Sequence, residues 1–84
     1  MYEVVLSRQA RRYYAQAPVF MAQRLARVFV ELERDARPAG SKPLHGALEG
    51  MWRIRVGGLR IIYEIRASAH EIRIVKIGAR GDVY

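Results

Sequence analysis

The strict alternation of residues 51–66 constrains the fold more than any other feature. In MWRIRV (51–56), Trp52, Ile54 and Val56 fall on one side of an extended chain, and Arg53 and Arg55 fall on the other. In LRIIYEIR (59–66), Leu59, Ile61, Tyr63 and Ile65 share a side opposite Arg60, Ile62, Glu64 and Arg66. A period of two marks strands that bury one face. Gly57-Gly58 between the runs can supply the positive φ of a two-residue hairpin loop. That loop sets Trp52 opposite Tyr63, Ile54 opposite Ile61 and Val56 opposite Leu59. Every pair is apolar, so the register agrees with itself, and this face, with Trp52 and Tyr63, is expected to be core.

The same register brings cations together on the other face. Arg55 falls directly opposite Arg60, and Arg53 opposite Ile62. Like charges facing each other destabilise a strand pair by about 0.2–1 kcal/mol, so stability alone does not select this arrangement. A third strand, EIRIVKI (71–77), follows a turn centred on Ser68-Ala69. Regular pairing then places Glu64 opposite Arg73, Arg66 opposite Glu71 and Arg60 opposite Ile77. It also brings Arg80 beside Gly57-Gly58. Arg55, Arg60 and Arg80 are therefore expected to gather at one end of the face without acids opposite them, while the other end neutralises itself. Converging guanidinium groups suit phosphate, whose geometry their planar forks match.

The first half of the chain supplies the layer that covers the apolar face. Residues 2–6 (YEVVL) read as a strand, and Ser7 can cap a helix over about 8–15. Ala10 and Tyr13 or Tyr14 would face inward. Pro18 suits the first turn of a second helix, in which Met21, Leu25, Val28 and Leu32 recur at helical spacing. Arg24, Arg27, Glu31 and Arg34 take the outer side, and Pro38 and Gly40 end the helix near Ala36. Residues 37–50, rich in Gly and Pro, read as a loop. The order is β-α-α-β-β-β, an α+β domain with a helical hairpin on one face of a mainly antiparallel sheet.

Composition narrows the partners. With 84 residues the chain forms one domain, 1–84, too small for a cleft between lobes. Hydrophobic residues make up 51%, which is inconsistent with disorder. No apolar stretch reaches the ~18 residues of a membrane span. The N-terminus, with Glu3 and only a short apolar run, does not read as a signal peptide. Cys is absent, which excludes disulfides and thiolate metal sites and fits a reducing cytoplasm. The formal charge is +7 and the pI about 10.6, pointing first to nucleic acid and second to an acidic protein. Of 15 cations only Lys42 and Lys76 are lysine, and arginine is the better phosphate ligand. Metal-ligand spacing, a Ser/His/Asp set and a phosphate-binding glycine loop are all missing, so neither metal nor cofactor is expected. Tyr84, just beyond Arg80, could offer a stacking platform. His45 and Glu49, in the loop, are candidates for acid–base chemistry.

The segments GMWRIRVGGLRIIYEI (50–65) and KIGARGDVY (76–84), following ARPAGSKPL, closely resemble the RelE/ParE toxin superfamily of type II toxin–antitoxin systems. The likeness covers nearly the whole chain and leans towards the RelE-like branch. It implies a small cytoplasmic toxin held by an antitoxin with an acidic toxin-binding segment, in a toxin–antitoxin hetero-oligomer. The RelE branch cleaves mRNA on the ribosome without a metal; the ParE branch poisons DNA gyrase. The two functional cations of the first basic strand in RelE-like nucleases fall here on Arg53 and Arg55. Their later arginines fall on Arg60 and Arg80, and a C-terminal tyrosine falls on Tyr84. Arg73 and Lys76 complete the basic set expected to bind RNA.

Metal-free RNA cleavage needs a base for the 2′-OH, stabilisation of the phosphorane and a proton for the leaving oxygen. Arginines serve the second need, but a pKa above about 12 makes them poor bases at neutral pH. RelE-like enzymes often carry lysine where this chain has Arg53 and Arg55. Tyr84, with its pKa lowered by neighbouring cations, is the first candidate base, and His45 or Glu49 the next. Ribosomal positioning of the mRNA could instead carry much of the rate. A third reading is a homologue that binds RNA or its antitoxin without cutting.

Overall fold

Ser7 organises the first turn of the chain. Its side-chain oxygen accepts the Ala10 amide at 3.1 Å and so caps α1 (Arg8–Gln16), directly after β1 (Glu3–Leu6). In this computed structural model, which describes residues 1–79, the helix buries Ala10 completely and half-buries Tyr13 and Tyr14. α2 (Val19–Arg34) begins one residue after Pro18, which caps it from outside instead of entering its first turn. The Pro18 carbonyl accepts the Met21 and Ala22 amides. Leu25 and Leu32 are fully buried, and Met21 and Val28 pack half-buried against the same core. No helix among the described residues is long and apolar enough to cross a membrane.

Three long strands follow: β3 (Met51–Val56), β4 (Leu59–Arg66) and β5 (Glu71–Ala79). A two-residue strand, β2 (Lys42–Pro43), also forms inside the expected loop by pairing with Arg53 and Trp52. The sheet order is β1-β5-β4-β3-β2, parallel between β1 and β5 and antiparallel elsewhere. The helices cover one face of this sheet, so the domain is the expected α+β hairpin-on-sheet arrangement. Ile61, Tyr63, Ile72, Ile74 and Ile77 are fully buried beneath them, each worth about 1.5–3 kcal/mol relative to exposure. Tyr63 also donates its hydroxyl to the Ala36 carbonyl at 2.9 Å, tying the end of the helical layer to the sheet. Burial pushes the Tyr63 phenol above its ordinary pKa. Trp52 is only half-buried, contrary to the expectation of a core residue. It lies where β2 stops after two residues, and the Arg37 guanidinium sits over its ring at 5.0 Å.

The β3–β4 register is the one the sequence implies, pair for pair from Met51–Glu64 to Val56–Leu59. Gly57, at φ 60°, takes the turn's left-handed position, as the first central residue of a type II′ turn does. The β4–β5 register is not regular. A β-bulge shifts it between Ile62 and Tyr63, so Arg60 faces Gly78 and not Ile77. Val75 is the extra residue. Ser7 and Gln9 hold the bulge from the β1 side. Ser7 donates its amide to the Ile74 carbonyl and its hydroxyl to the Val75 carbonyl. The Gln9 side chain then takes up both backbone groups of Ile77, at 2.9 and 2.7 Å. The shift puts Ile77 into the core and Lys76 on the outer face opposite Ile62.

Candidate functional site

Two cross-strand rows on the outer sheet face gather the cations of the candidate site. Cα partners in a sheet project to the same face, so the first row runs Lys42, Arg53, Ile62, Lys76 across β2, β3, β4 and β5. The second row, nearer the turn, runs Arg55, Arg60, Gly78. Strands lie about 4.8 Å apart and alternate residues about 6.6–7 Å along each strand. Five cations thus share a patch two rows deep and four strands wide. Ile62 is 2% exposed yet stands outside the main core cluster. It lies between Arg53 and Lys76 in register, where their alkyl stems can cover it while the charged heads remain in water.

The patch is edged by two concavities. One, of about 210 Å³, lies at the hairpin tip and is lined by Arg55, Gly57, Gly58, Leu59 and Arg60. The other, of about 440 Å³, wraps the sheet edge and is lined by Lys42, Arg53, Arg55, Gly40, Val28 and Glu31 among others. Arg24 of α2 reaches the tip from the helix side: a Cβ built on Gly57 would stand 3.0 Å from its Nη1. The tip therefore has a cation on either side of Gly57, whose φ of 60° strains any side chain placed there. Gly78, opposite Arg60, is buried.

The far end of the same face is arranged differently. Glu64 lies opposite Arg73, and Arg66 opposite Glu71, which it meets at 3.4 Å. Glu3 of β1 adjoins Glu71. Two cations thus meet three acids there, whereas the register partners in the two rows at the tip end include no acid among the described residues.

The structure brings Arg53, Arg55, Arg60 and Lys76 together as a basic patch. Arg73 belongs to the neutralised end. His45 and Glu49 are exposed in the loop before β3, at the end of that strand remote from the tip, about 17 Å away at 3.3–3.4 Å per residue. Arg80 and Tyr84 lie outside the described residues. Two contributors escaped the sequence reading. Lys42 sits in a strand too short to show a pattern, and Arg24 reads as an ordinary solvated helix residue. The alternation break at Ile74-Val75 was the available signal for the bulge that recruits Lys76.

Residues 4–84 match the family model described as the ParE toxin of the type II toxin–antitoxin system, parDE. A search of curated proteins finds no match. Among solved structures, the RelBE2 toxin–antitoxin complex from Mycobacterium tuberculosis matches with a TM-score of 0.82 at 25% identity, covering 94% of this chain and 98% of that one. The archaeal RelE–RelB complex from Pyrococcus horikoshii OT3 matches with a TM-score of 0.82 at 25% identity, covering 98% of both chains. The isolated E. coli RelE toxin shares the fold, with a TM-score of 0.80 at 16% identity over 94% of this chain and 84% of that one. The order of elements, the two-helix layer over the sheet and a family match over almost every residue converge: this chain belongs to the ParE toxin family of type II toxin–antitoxin systems.

Proposed function

We propose that this toxin is a ribosome-dependent mRNA endoribonuclease whose substrate strand lies across the outer sheet face at the hairpin tip. The observation that carries the reading is the gathering of five cations in two adjacent rows, Lys42-Arg53-Ile62-Lys76 and Arg55-Arg60-Gly78. A phosphate held there meets guanidinium groups from two adjacent strands. As the 2′-oxygen attacks phosphorus and the P–O5′ bond breaks, Arg55 and Arg60 stabilise the charge on the phosphorane more than they stabilise the ground state, and the departing 5′-oxygen takes its proton from water. Arg53, Lys42 and Lys76 hold neighbouring phosphates of the strand. Arginine cannot take the 2′-OH proton at neutral pH, so that role goes to Tyr84. His45 and Glu49 are the alternatives, and either would have to be approached by a strand running the length of β3. Positioning by the ribosome supplies the remaining rate. The protein works in the cytoplasm and is neutralised by an antitoxin whose acidic segment covers the cationic rows. Solved relatives with RelB antitoxins support such a hetero-oligomer.

The test is translation of a reporter mRNA with the purified toxin and mapping of new 5′ ends. Cuts are expected at ribosome-occupied codons, and the double variant R53A/R55A should lose at least about 100-fold in cutting, the scale of losing preorganised charge stabilisation. Undiminished cutting by that variant would overturn the reading. The match to the ParE family model favours a second reading, inhibition of DNA gyrase. Toxin-dependent gyrase–DNA cleavage complexes without mRNA cuts would select it.

A further inference from the structure

The outer surface of α1 is the one strongly charged region that the sheet-face reading leaves unused. Its sequence, RQARRYYAQ, contains three arginines and no acid, and Arg8, Arg11 and Arg12 are all exposed. Their placement works against the helix itself. Arg8 is the first helical residue, where the macrodipole disfavours a cation. Arg8 and Arg12 stand four apart, the spacing at which like charges repel. None of the three forms an ion pair among the described residues. On α2, by contrast, Arg27 precedes Glu31 by four residues and Arg34 lies in the last turn, both favourable positions. The α1 arginines line two shallow depressions, one with Ala15 and one with Gln9. Because Ala10 faces the core beneath the helical layer, this surface points away from the cationic rows of the sheet.

We propose that the outer face of α1 is a second anion surface that docks on the phosphate backbone of duplex RNA. An acidic protein would need an apolar centre to its footprint. The exposed positions of α1 are Arg8, Gln9, Arg11, Arg12, Ala15 and Gln16, which provide none. A single strand would be held by stacking on aromatic side chains. Both tyrosines of α1 instead pack half-buried against the core, Tyr14 edge-on to Phe29 at 5.5 Å. What remains is charge on a rigid scaffold, which fits a regular backbone of phosphates. Backbone docking follows from α1 alone; the choice of RNA over DNA rests on the ribosomal reading above. Together the two surfaces would place the toxin between a structured RNA on its helical side and a substrate strand on its sheet side.

Binding of the full-length toxin to a fluorescent RNA hairpin duplex, titrated over salt, tests the proposal. The variant R8A/R12A is compared with R27A/R34A, which removes equal charge from α2. In R8A/R12A the slope of log K against log salt should fall by about 2, since each duplex phosphate contact contributes about 0.9, and R27A/R34A should keep most of the parental slope. The R8A/R12A thermal midpoint should equal or exceed the parent's, because repulsion has been removed. Equal slope changes in the two variants, or none in R8A/R12A, would overturn the proposal. So would loss of affinity in R8A/R12A for an acidic antitoxin peptide but not for RNA. A DNA duplex of the same sequence that competes equally would overturn the assignment to RNA. Mapping of mRNA cuts in parallel separates the two claims: parental toxin that cuts nothing while R8A/R12A loses its slope contradicts the sheet-face reading and leaves α1 docking supported.

Discussion

At one end of the outer sheet face Arg66 reaches Glu71 and Glu64 lies opposite Arg73; at the other end Arg55 lies opposite Arg60, and Lys42, Arg53 and Lys76 share the next row. Both ends lie on the outer sheet face, share β4 and β5, and mix half-buried with exposed side chains, so backbone and burial do not account for the difference. Nor is the energy large. An exposed ion pair contributes about 0–1 kcal/mol, and a like-charge pair costs about 0.2–1 kcal/mol, against a total stability of about 5–15 kcal/mol for a small domain. The core under the helices can therefore carry a repulsive patch without losing the fold. The closed end is the arrangement that stability alone favours, and the open end is the one expected if the proposed function keeps cations there for an anionic ligand.

The β-bulge at Val75 is the boundary between the two ends, and Gln9 holds it. Replacing Gln9 with Leu leaves both backbone groups of Ile77 without their partners. The expected cost is about 2 kcal/mol, within the range for stranded polar groups, and hydrogen exchange at the Ile77 amide should accelerate selectively. Exchange that is unchanged there would show that the bulge stands without Gln9, breaking the account of how Lys76 reaches the open end.

A smaller effect is expected at Tyr63, which backs the same boundary from the core side. Tyr63→Phe removes one buried hydroxyl bond to the Ala36 carbonyl and should cost about 1 kcal/mol. Its pH dependence sharpens the test. The folded-state pKa is raised, chiefly by burial, so the unfolded chain releases this proton first, at about pH 10. The contribution is therefore complete below about pH 10 and declines as pH rises above it. Thermal midpoints of the parent should fall more steeply than those of Tyr63→Phe as pH rises above about 10. Parallel curves would contradict the assignment.

The hairpin was legible in the sequence because period-two alternation and Gly57-Gly58 each fix one part of the register, and the two agree. The helical layer was legible from Leu25 and Leu32 at helical spacing. Regular pairing failed at β5, where one inserted residue changes which side chains face out. It put Arg60 opposite Ile77, and the Gln9 and Ser7 bonds that set Gly78 there instead span 68 positions. β2 escaped because two residues show no period. Arg24 escaped because its role depends on where α2 crosses the hairpin, which no local pattern encodes. Arg53, Arg55 and Arg60 were legible as a cluster because one hairpin contains all three.

Arg55→Glu tests most directly whether charge at the open end is kept for a ligand at the expense of stability. The variant places an acid opposite Arg60, converting the open row into a copy of the closed one. Thermal unfolding and mRNA cutting would be measured on the same preparation. The account predicts stability no lower than the parent's, because a like-charge pair is replaced by an opposite-charge one, together with loss of cutting by at least about 100-fold. Lower stability with cutting retained would contradict it.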